Sequence, residues 1–370
     1  MSNNPSPYRI CRYCIMDTSD PMISFNEQGD CYHCTNMRKL IAEQASEDLR
    51  KTQLDTIIHQ IKKEGASKEY DCIIGLSGGV DSSYLLYKAK EWGLRPLVVH
   101  VDGGWNSELA VKNIEELVNR LHVDLFTIVI NWEEMKDLQR AFFEAALANQ
   151  DIPQDHAFFA GLYAFATKHH IRYVLSGSNL ATEAIMPSSW AYNAMDLRHL
   201  KAVHTRFGKQ PLHSYPTVNF FQYYIYYPLI KRMKVIKPLN FIDYKKQDAM
   251  ALLQTLGWRY YGGKHFESRF TKFQQAYYRP TKFGYDERRA YLSNLIVNKE
   301  ITREQALQEM NQAVYTPQTL DDDITYVCKK LGLTKEQFEH ILQKPNKTFA
   351  DYPSNAWLFE LKNKIKTFIK

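Results

Sequence analysis

Two groups of residues carry chemistry by type and spacing. Cys11-Arg12-Tyr13-Cys14 and Cys31-Tyr32-His33-Cys34 form two C-x-x-C pairs. The stretch between them falls within the roughly 15–20 residues of a zinc ribbon or knuckle pair. Four thiolates close a tetrahedral shell and leave no position for water, so the expected ion is structural Zn2+. Gly29 stands where a tight turn must precede the second pair. A redox pair would follow a strand of a βαβ unit, which this segment lacks; His33 is read as a bystander. The second group is Ser77-Gly78-Gly79-Val80-Asp81-Ser82. Two glycines let the backbone turn tightly and approach a ligand closely. Backbone N–H groups at a helix N-terminus then face an anion, and the hydroxyls of Ser77 and Ser82 add donors. Asp81 would repel bare pyrophosphate, so it fits only with Mg2+ present or as a backbone anchor. The string is neither a Walker A loop nor G-x-G-x-x-G.

These groups need elements to hold them. Apolar runs at 72–76, 97–101, 125–130 and 173–175 alternate with helix-like stretches at 83–92, 107–121 and 157–169. Strands alternating with helices predict an α/β fold, a doubly wound parallel sheet whose ligands bind outside the carboxyl ends of its strands. The 77–82 loop follows the first run directly. His100-Val101-Asp102-Gly103-Gly104 ends the second, and Ser176-Gly177-Ser178-Asn179 ends the fourth, with Thr182-Glu183 behind it. An amphipathic helix over 48–63, carrying Leu49, Leu54, Ile57, Ile58 and Ile61 and ended by Gly65, joins the cysteine module to the sheet. Beyond about Pro187 the strand signal fades. The aromatic run 220–227 reads as a buried or docked helix rather than a platform for bases. Thr302-x-x-Gln305 and Thr334-x-x-Gln337 are capping boxes of a mainly helical C-terminal region. The boundaries are a zinc-binding ribbon at 1–45, a linker helix at 46–70, a nucleotide domain at 71–245 and the helical region at 246–370.

With 370 residues, 45% hydrophobic and 24% charged, the composition is that of a globular protein of two to three domains or one large decorated one. No apolar run approaches the roughly 20 residues of a membrane helix. The polar start lacks a secretion signal, so a cytoplasmic chain without a membrane partner is expected. A net charge of +6 suits anionic small molecules as well as RNA and decides nothing alone.

In its strand–loop–helix context the 77–82 string resembles the pyrophosphate loop of the PP-loop ATP pyrophosphatase superfamily. The resemblance implies cleavage of ATP between the α- and β-phosphates, adenylation of a carbonyl-type oxygen, and displacement of AMP by a nucleophile. On it, Ser77, Gly78, Gly79, Asp81 and Ser82 bind pyrophosphate, while Asp102, Gly177 and Glu183 approach the nucleotide and its metal. Cys11-Arg12-Tyr13-Cys14-Ile15-Met16-Asp17 and Phe25-x-x-x-Gly29-x-Cys31-x-x-Cys34 are similar to the N-acetyl sugar amidotransferases of bacterial surface-polysaccharide synthesis. So are the segment 258–271, Lys282-Phe283-Gly284-Tyr285-Asp286-x-Arg288 and Ile301-Thr302-Arg303-Glu304. The resemblance runs from the zinc module to about residue 310; Arg279 departs from it, where an apolar residue is expected. It implies that an acetamido group of a lipopolysaccharide or O-antigen sugar becomes an acetamidino group. The route is an O-adenylated imidate attacked by ammonia, with ATP, Mg2+ and structural Zn2+. The substrate would be an N-acetylated sugar or nucleotide-sugar, such as a nucleotide-linked uronic acid or a nonulosonic acid. Ammonia would come from a class I glutaminase subunit: the chain has no glutaminase domain, and neither Cys72, in a strand, nor Cys328, in a helix, sits on a sharp turn.

Gly262-Gly263 opens a loop carrying Lys264, His265, Glu267 and Arg269. Read functionally it is a flap. Lys264 and Arg269 would neutralise phosphate or an anionic sugar, and His265 or Glu267 would act as base toward ammonium. The catalytic set is then Asp81, Lys264, His265 and Glu267. The alternative is an ion-paired surface loop, and Lys282, Asp286 and Arg288 can equally form a structural cluster. Two other classes compete. An ATP-dependent tRNA sulfur transferase shares the loop and zinc module but wants cysteines beside the nucleotide, and its RNA affinity should fall steeply with salt; nucleic acid is not the expected partner. A non-enzymatic zinc-ribbon adaptor is opposed by the intact 77–82 loop.

Overall fold

The computed structural model describes residues 7–369. Its centre is a five-stranded sheet of order β3-β2-β1-β4-β5, formed by β1 (Cys72–Gly75), β2 (Pro96–Asp102), β3 (Leu125–Val129), β4 (Tyr173–Leu175) and β5 (Lys234–Ile236). All pairings are parallel, with Ile74 opposite both Val98 and Leu175. Alternation along the strands splits the core in two. Cys72, Ile74 and Val98 face one layer with Leu54, Ile58, Leu85, Ile114 and Leu253. Ile73, Leu97 and Val99 face the other, with Ala160 to Ala166 of the Ile152–Lys168 helix. This is the expected doubly wound α/β fold, and the crevice at its switch point lies between β1 and β4.

Several expected elements change their limits. The helix after the 77–82 loop starts at Val80, because extended Gly79 serves as its N-cap. The helix expected from 157 starts at Ile152, which brings Asp151 and Asp155 to its first turn. The 48–63 helix spans Glu47–Gly65, capped by Ser46, but Leu49 is exposed and lies off its buried stripe. β3 is an exposed edge rather than a buried run: Phe126 and Val129 face solvent. β5 and the Trp132–Glu144 helix lie outside the segments singled out above. The aromatic run forms a π-helix, Gln222–Ile230, docked rather than buried: Tyr227 packs on the sheet and Tyr223 stacks on Tyr163 at 5.5 Å, while Leu229 and Ile230 are exposed. Both capping boxes form, at Thr302 and Thr334, and the region beyond 246 is mainly helical. No helix among the described residues is long and apolar enough to cross a membrane.

The cysteine module is not an appendage. The four thiols share a hydrophobic cluster with Ala290, Leu292, Leu295 and Ile296 of the Arg288–Val297 helix. Arg303 donates to the carbonyl of Cys14 at 3.1 Å and to that of Cys11 at 3.0 Å.

Candidate functional site

The loop between β1 and the Val80–Glu91 helix is built for close approach. Gly78 has φ +82°, and a Cβ there would meet the Ala110 carbonyl at 2.8 Å. Ser77 Oγ accepts from Gly79 N–H at 3.2 Å and lies 3.2 Å from Ser82 Oγ. Two distant residues brace the turn: Trp258 Nε1 donates to the Gly78 carbonyl at 2.9 Å, and Tyr261 OH accepts from Val80 N–H at 3.1 Å. Gly177, after β4, lies against the loop; a Cβ there would sit 2.9 Å from Ser82 N.

Charged groups surround this loop. Asp81 accepts from Tyr244 OH and, at 3.4 Å, from Thr182 Oγ1. Burial pushes its carboxyl up against the pull of Lys264. Lys264 Nζ lies 3.5 Å from Glu183 and donates to the Thr182 carbonyl at 2.9 Å. Ser178 Oγ donates to Glu183 at 2.6 Å. Against the penalty of burial, Lys264 and Ser178 hold the Glu183 carboxyl below its ordinary value. Glu267 accepts from Ser77 Oγ at 3.4 Å, and its Oε1 stands 2.8 Å from where a Gly79 Cβ would be. Its Oε2 is buried without a hydrogen-bond partner among the described residues. His265, at φ +63°, lies 3.8 Å from Glu267. Burial opposes charge on the imidazole, but the hydrogen bond and charge of Glu267 outweigh it and raise the pKa. The same pairing holds Glu267 below the usual carboxylate range. The loop is pinned by an Asn106–Ser268 bridge and by Ser107 N–H donating to the Glu267 carbonyl at 2.9 Å.

The structure thus brings together Ser77, Gly78, Gly79, Asp81, Ser82, Gly177, Glu183, Lys264, His265 and Glu267. Two of the expected residues are engaged elsewhere. Asp102 is occupied by its own turn, accepting from Gly104 N–H at 2.7 Å and Asn106 Nδ2 at 3.0 Å; His100 and Asn106 face the crevice instead. Arg269 points away from the phosphate loop, 2.5 Å from Asp323 and 3.8 Å above the Tyr326 ring. Lys282 and Arg288 serve structure: Lys282 donates to the Leu342 carbonyl at 3.2 Å, and Arg288 pairs with Asp286 at 2.7 Å. Arg279 is buried but satisfied, paired with Glu287 and donating to the Ala148 carbonyl at 3.0 Å.

Sequence reasoning missed the roles of Tyr244 and Lys246. Lys246 is buried, donates to Tyr291 OH and lies 4.3 Å from that ring. Burial lowers its ammonium to about 8. A lysine beginning an ordinary helix gives no sequence signal.

Two cavities flank the loop. One, of about 460 Å³, opens at the carboxyl ends of β1, β2 and β4; Leu76, Val99, Phe158 and Leu162 line its apolar part and Asp151 and Asp155 another. Burial, with Asp151 adding, pushes Asp155 up to about 7. The other, of about 820 Å³, lies between Glu183, the 260–266 loop and the helices from Lys272 to Gln312. Met186, His265, Gln275 and Glu287 line both.

In the cysteine module all four Sγ atoms are buried and lie within 4.8 Å of one another. This donor set fits a tetrahedral Zn2+. His33 turns to Asp20 at 2.8 Å and stays outside the cluster.

Residues 267–366 match the family described as LPS biosynthesis protein WbpG-like, C-terminal domain. The match places the C-terminal region beside proteins of LPS biosynthesis. A tRNA(Ile)-lysidine synthase of Chlamydia pneumoniae is 41% identical over 71 residues, which is 18% of this chain and 22% of that protein. Among solved structures, the NMN synthetase of Francisella tularensis aligns over 82% of this chain and 99% of its own, at 12% identity and a TM-score of 0.30. A predicted subunit of tRNA methyltransferase from Methanocaldococcus jannaschii aligns over 50% of this chain and 75% of its own, at 15% identity and a TM-score of 0.28.

Proposed function

We propose that this chain, whose residues 267–366 match the WbpG-like family of LPS biosynthesis proteins, is an ATP-dependent, AMP-forming amidotransferase. It converts the acetamido group of a bacterial surface-sugar precursor into an acetamidino group. One observation carries the reading. The glycine loop at the end of β1 stands beside a second cavity walled by helices of the matched region.

The acetamido oxygen attacks the α-phosphorus of ATP, the bond between the α- and β-phosphates breaks, and pyrophosphate leaves. The nitrogen of ammonia then adds to the imidate carbon, the C–O bond to AMP breaks, and one proton is lost. The 77–82 backbone holds the departing pyrophosphate, and Lys264 neutralises charge that builds there. Asp81 is a positioning residue, tying the loop to Tyr244 and Thr182. His265, at the junction of the cavities, takes the proton of the nucleophile. The free Oε2 of Glu267 suits a hard cation beside the phosphates. Mg2+ there would spread charge over the phosphate oxygens. A class I glutaminase supplies ammonia.

The local likeness to a tRNA(Ile)-lysidine synthase supports only the tRNA substrate of the second reading, a tRNA sulfur transferase. Against it, burial pushes the Cys72 thiol well above its ordinary value and that of Cys328 to about 11. Neither supplies a thiolate near neutral pH. The deciding assay is pyrophosphate release with ammonium and a panel of N-acetylated sugars, beside tRNA with a sulfur donor. Sugar- and ammonium-dependent release is expected; release that needs tRNA and sulfur instead overturns the reading.

A further inference from the structure

We infer that the larger cavity is the acceptor site, that Gln275 holds the acceptor's amide group at the opening between the two cavities, and that Lys272 selects an acceptor bearing an anionic group. This rests on the amidotransferase reading. The acetamido oxygen must reach the α-phosphorus, so the reacting atoms meet where the cavities meet. Among the described residues only Met186, His265, Gln275 and Glu287 line both. Met186 offers no strong hydrogen bond. Glu287 is committed to Arg279, and His265 faces Glu267. Gln275 is the polar side chain left over, with no hydrogen-bond partner among the described residues.

Its placement has a structural cause. Helical backbone runs through 269–283, but Gln274–Tyr278 is a π turn between Arg269–Phe273 and Arg279–Phe283. Such a turn inserts a residue and re-aims side chains, and is frequent at functional sites. Here it separates neighbours. Gln274 is buried, held by Asp151 and accepting from Gln150 N–H at 3.2 Å. Gln275 is free to face both cavities. A side-chain amide both donates and accepts, and so matches an acetamido group.

Charge in the larger cavity is mostly internally paired: Lys264 with Glu183, and Arg288 with Asp286. Lys272 and Glu309 are the exceptions, and Glu309 acts on Tyr260 and Tyr291 of the opposite wall. The Nζ of Lys272 lies 4.5 Å from the Tyr315 ring centroid and 5.8 Å from that of Phe266, and it makes no ion pair among the described residues. An ammonium against aromatic faces in a concave site, without a carboxylate, is available to a ligand anion. Gln308 and Gln312 face the same space. About 820 Å³ is ample for a sugar with a charged substituent.

The test uses the full chain with its zinc. Pyrophosphate release is measured with ammonium and three acceptors: N-acetylneuraminate for a carboxylate, UDP-N-acetylglucosamine for a phosphate, and neutral N-acetylglucosamine. Lys272→Met should raise KM for the preferred anionic acceptor about 30-fold, the size of one charge-assisted contact. It should leave KM for ATP unchanged and narrow the preference over the neutral sugar, and Lys272→Arg should restore that preference. Whichever anionic acceptor loses more identifies the anion. Gln275→Ala should cut kcat/KM for the acceptor about 100-fold at unchanged ATP KM. Should either variant fail to fold, Gln308→Ala, on another wall of the cavity, answers through acceptor KM. If the wild type releases pyrophosphate with a sugar but these variants keep its acceptor KM and its charge preference, this site assignment is wrong and the reaction stands. If the wild type releases none with any sugar, the reaction falls, and the acceptor site with it.

Discussion

Asp102 and Gly177 show how much the direction of a side chain decides. Both stand at strand ends and both match a nucleotide-site pattern. The Asp102 carboxylate closes its own turn, so Asp102→Ala should cost about 1 kcal/mol in thermal or denaturant unfolding and leave KM for ATP unchanged. Gly177 has no side chain, and the absence is required: a methyl there meets the backbone of Ser82. Gly177→Ala should reduce pyrophosphate release at least about 100-fold, read beside a melting curve to separate misplacement from unfolding. The His265–Glu267 pair carries a pH signature. Glu267 raises the imidazole pKa, and the base form exists above that pKa. Glu267→Gln lets it fall, so the acidic limb of the kcat/KM profile should move to lower pH; a shift to higher pH contradicts the pairing. The types of these residues were legible in the sequence, but their partners were not. Arg269 is 54 positions from the Asp323 that turns it away, and Trp258 is 180 from the carbonyl it holds.

Four strands were legible as elements because their runs are apolar, and β1 and β2 are buried on both faces. β5 escaped because an edge strand of three residues, Lys-Val-Ile, has neither length nor alternation to mark it. The π turn escaped for a different reason: its spacing departs from the helical period by one residue over a single turn. The cysteine module was read from spacing alone, but its attachment was not. Arg303 and Ser293 bind its backbone from the C-terminal helices, and the Arg288–Val297 helix also presents Tyr291 to the larger cavity. Chelating zinc should therefore lower Tm by about 5–10 °C and raise acceptor KM before ATP KM. Equal loss of both would mean that the module supports the whole fold uniformly.

At the scale of the whole molecule, one buried group limits the working pH. His199 packs 5.0 Å from Tyr192 and 6.0 Å from Phe142, with both ring nitrogens buried and without a partner among the described residues. Burial pushes its imidazole from 6.5 down to about 4. Because the folded value lies below the unfolded one, the neutral ring's stabilisation is whole above 6.5 and drains away as pH falls from 6.5 toward 4. His199→Phe should flatten that acid limb in a pH series of melting temperatures; an unchanged slope assigns it to other groups. The meeting of the two cavities at four residues reaches further. On the proposed reaction, phosphate handling falls to the sheet and the 258–267 segment, whereas much of the neighbouring chamber is drawn from the helices beyond it. A lineage can thus retool what is modified by reshaping one wall while inheriting the energy-coupling half intact, and a chimera carrying a sibling's helices after residue 267 should adopt the sibling's choice of sugar.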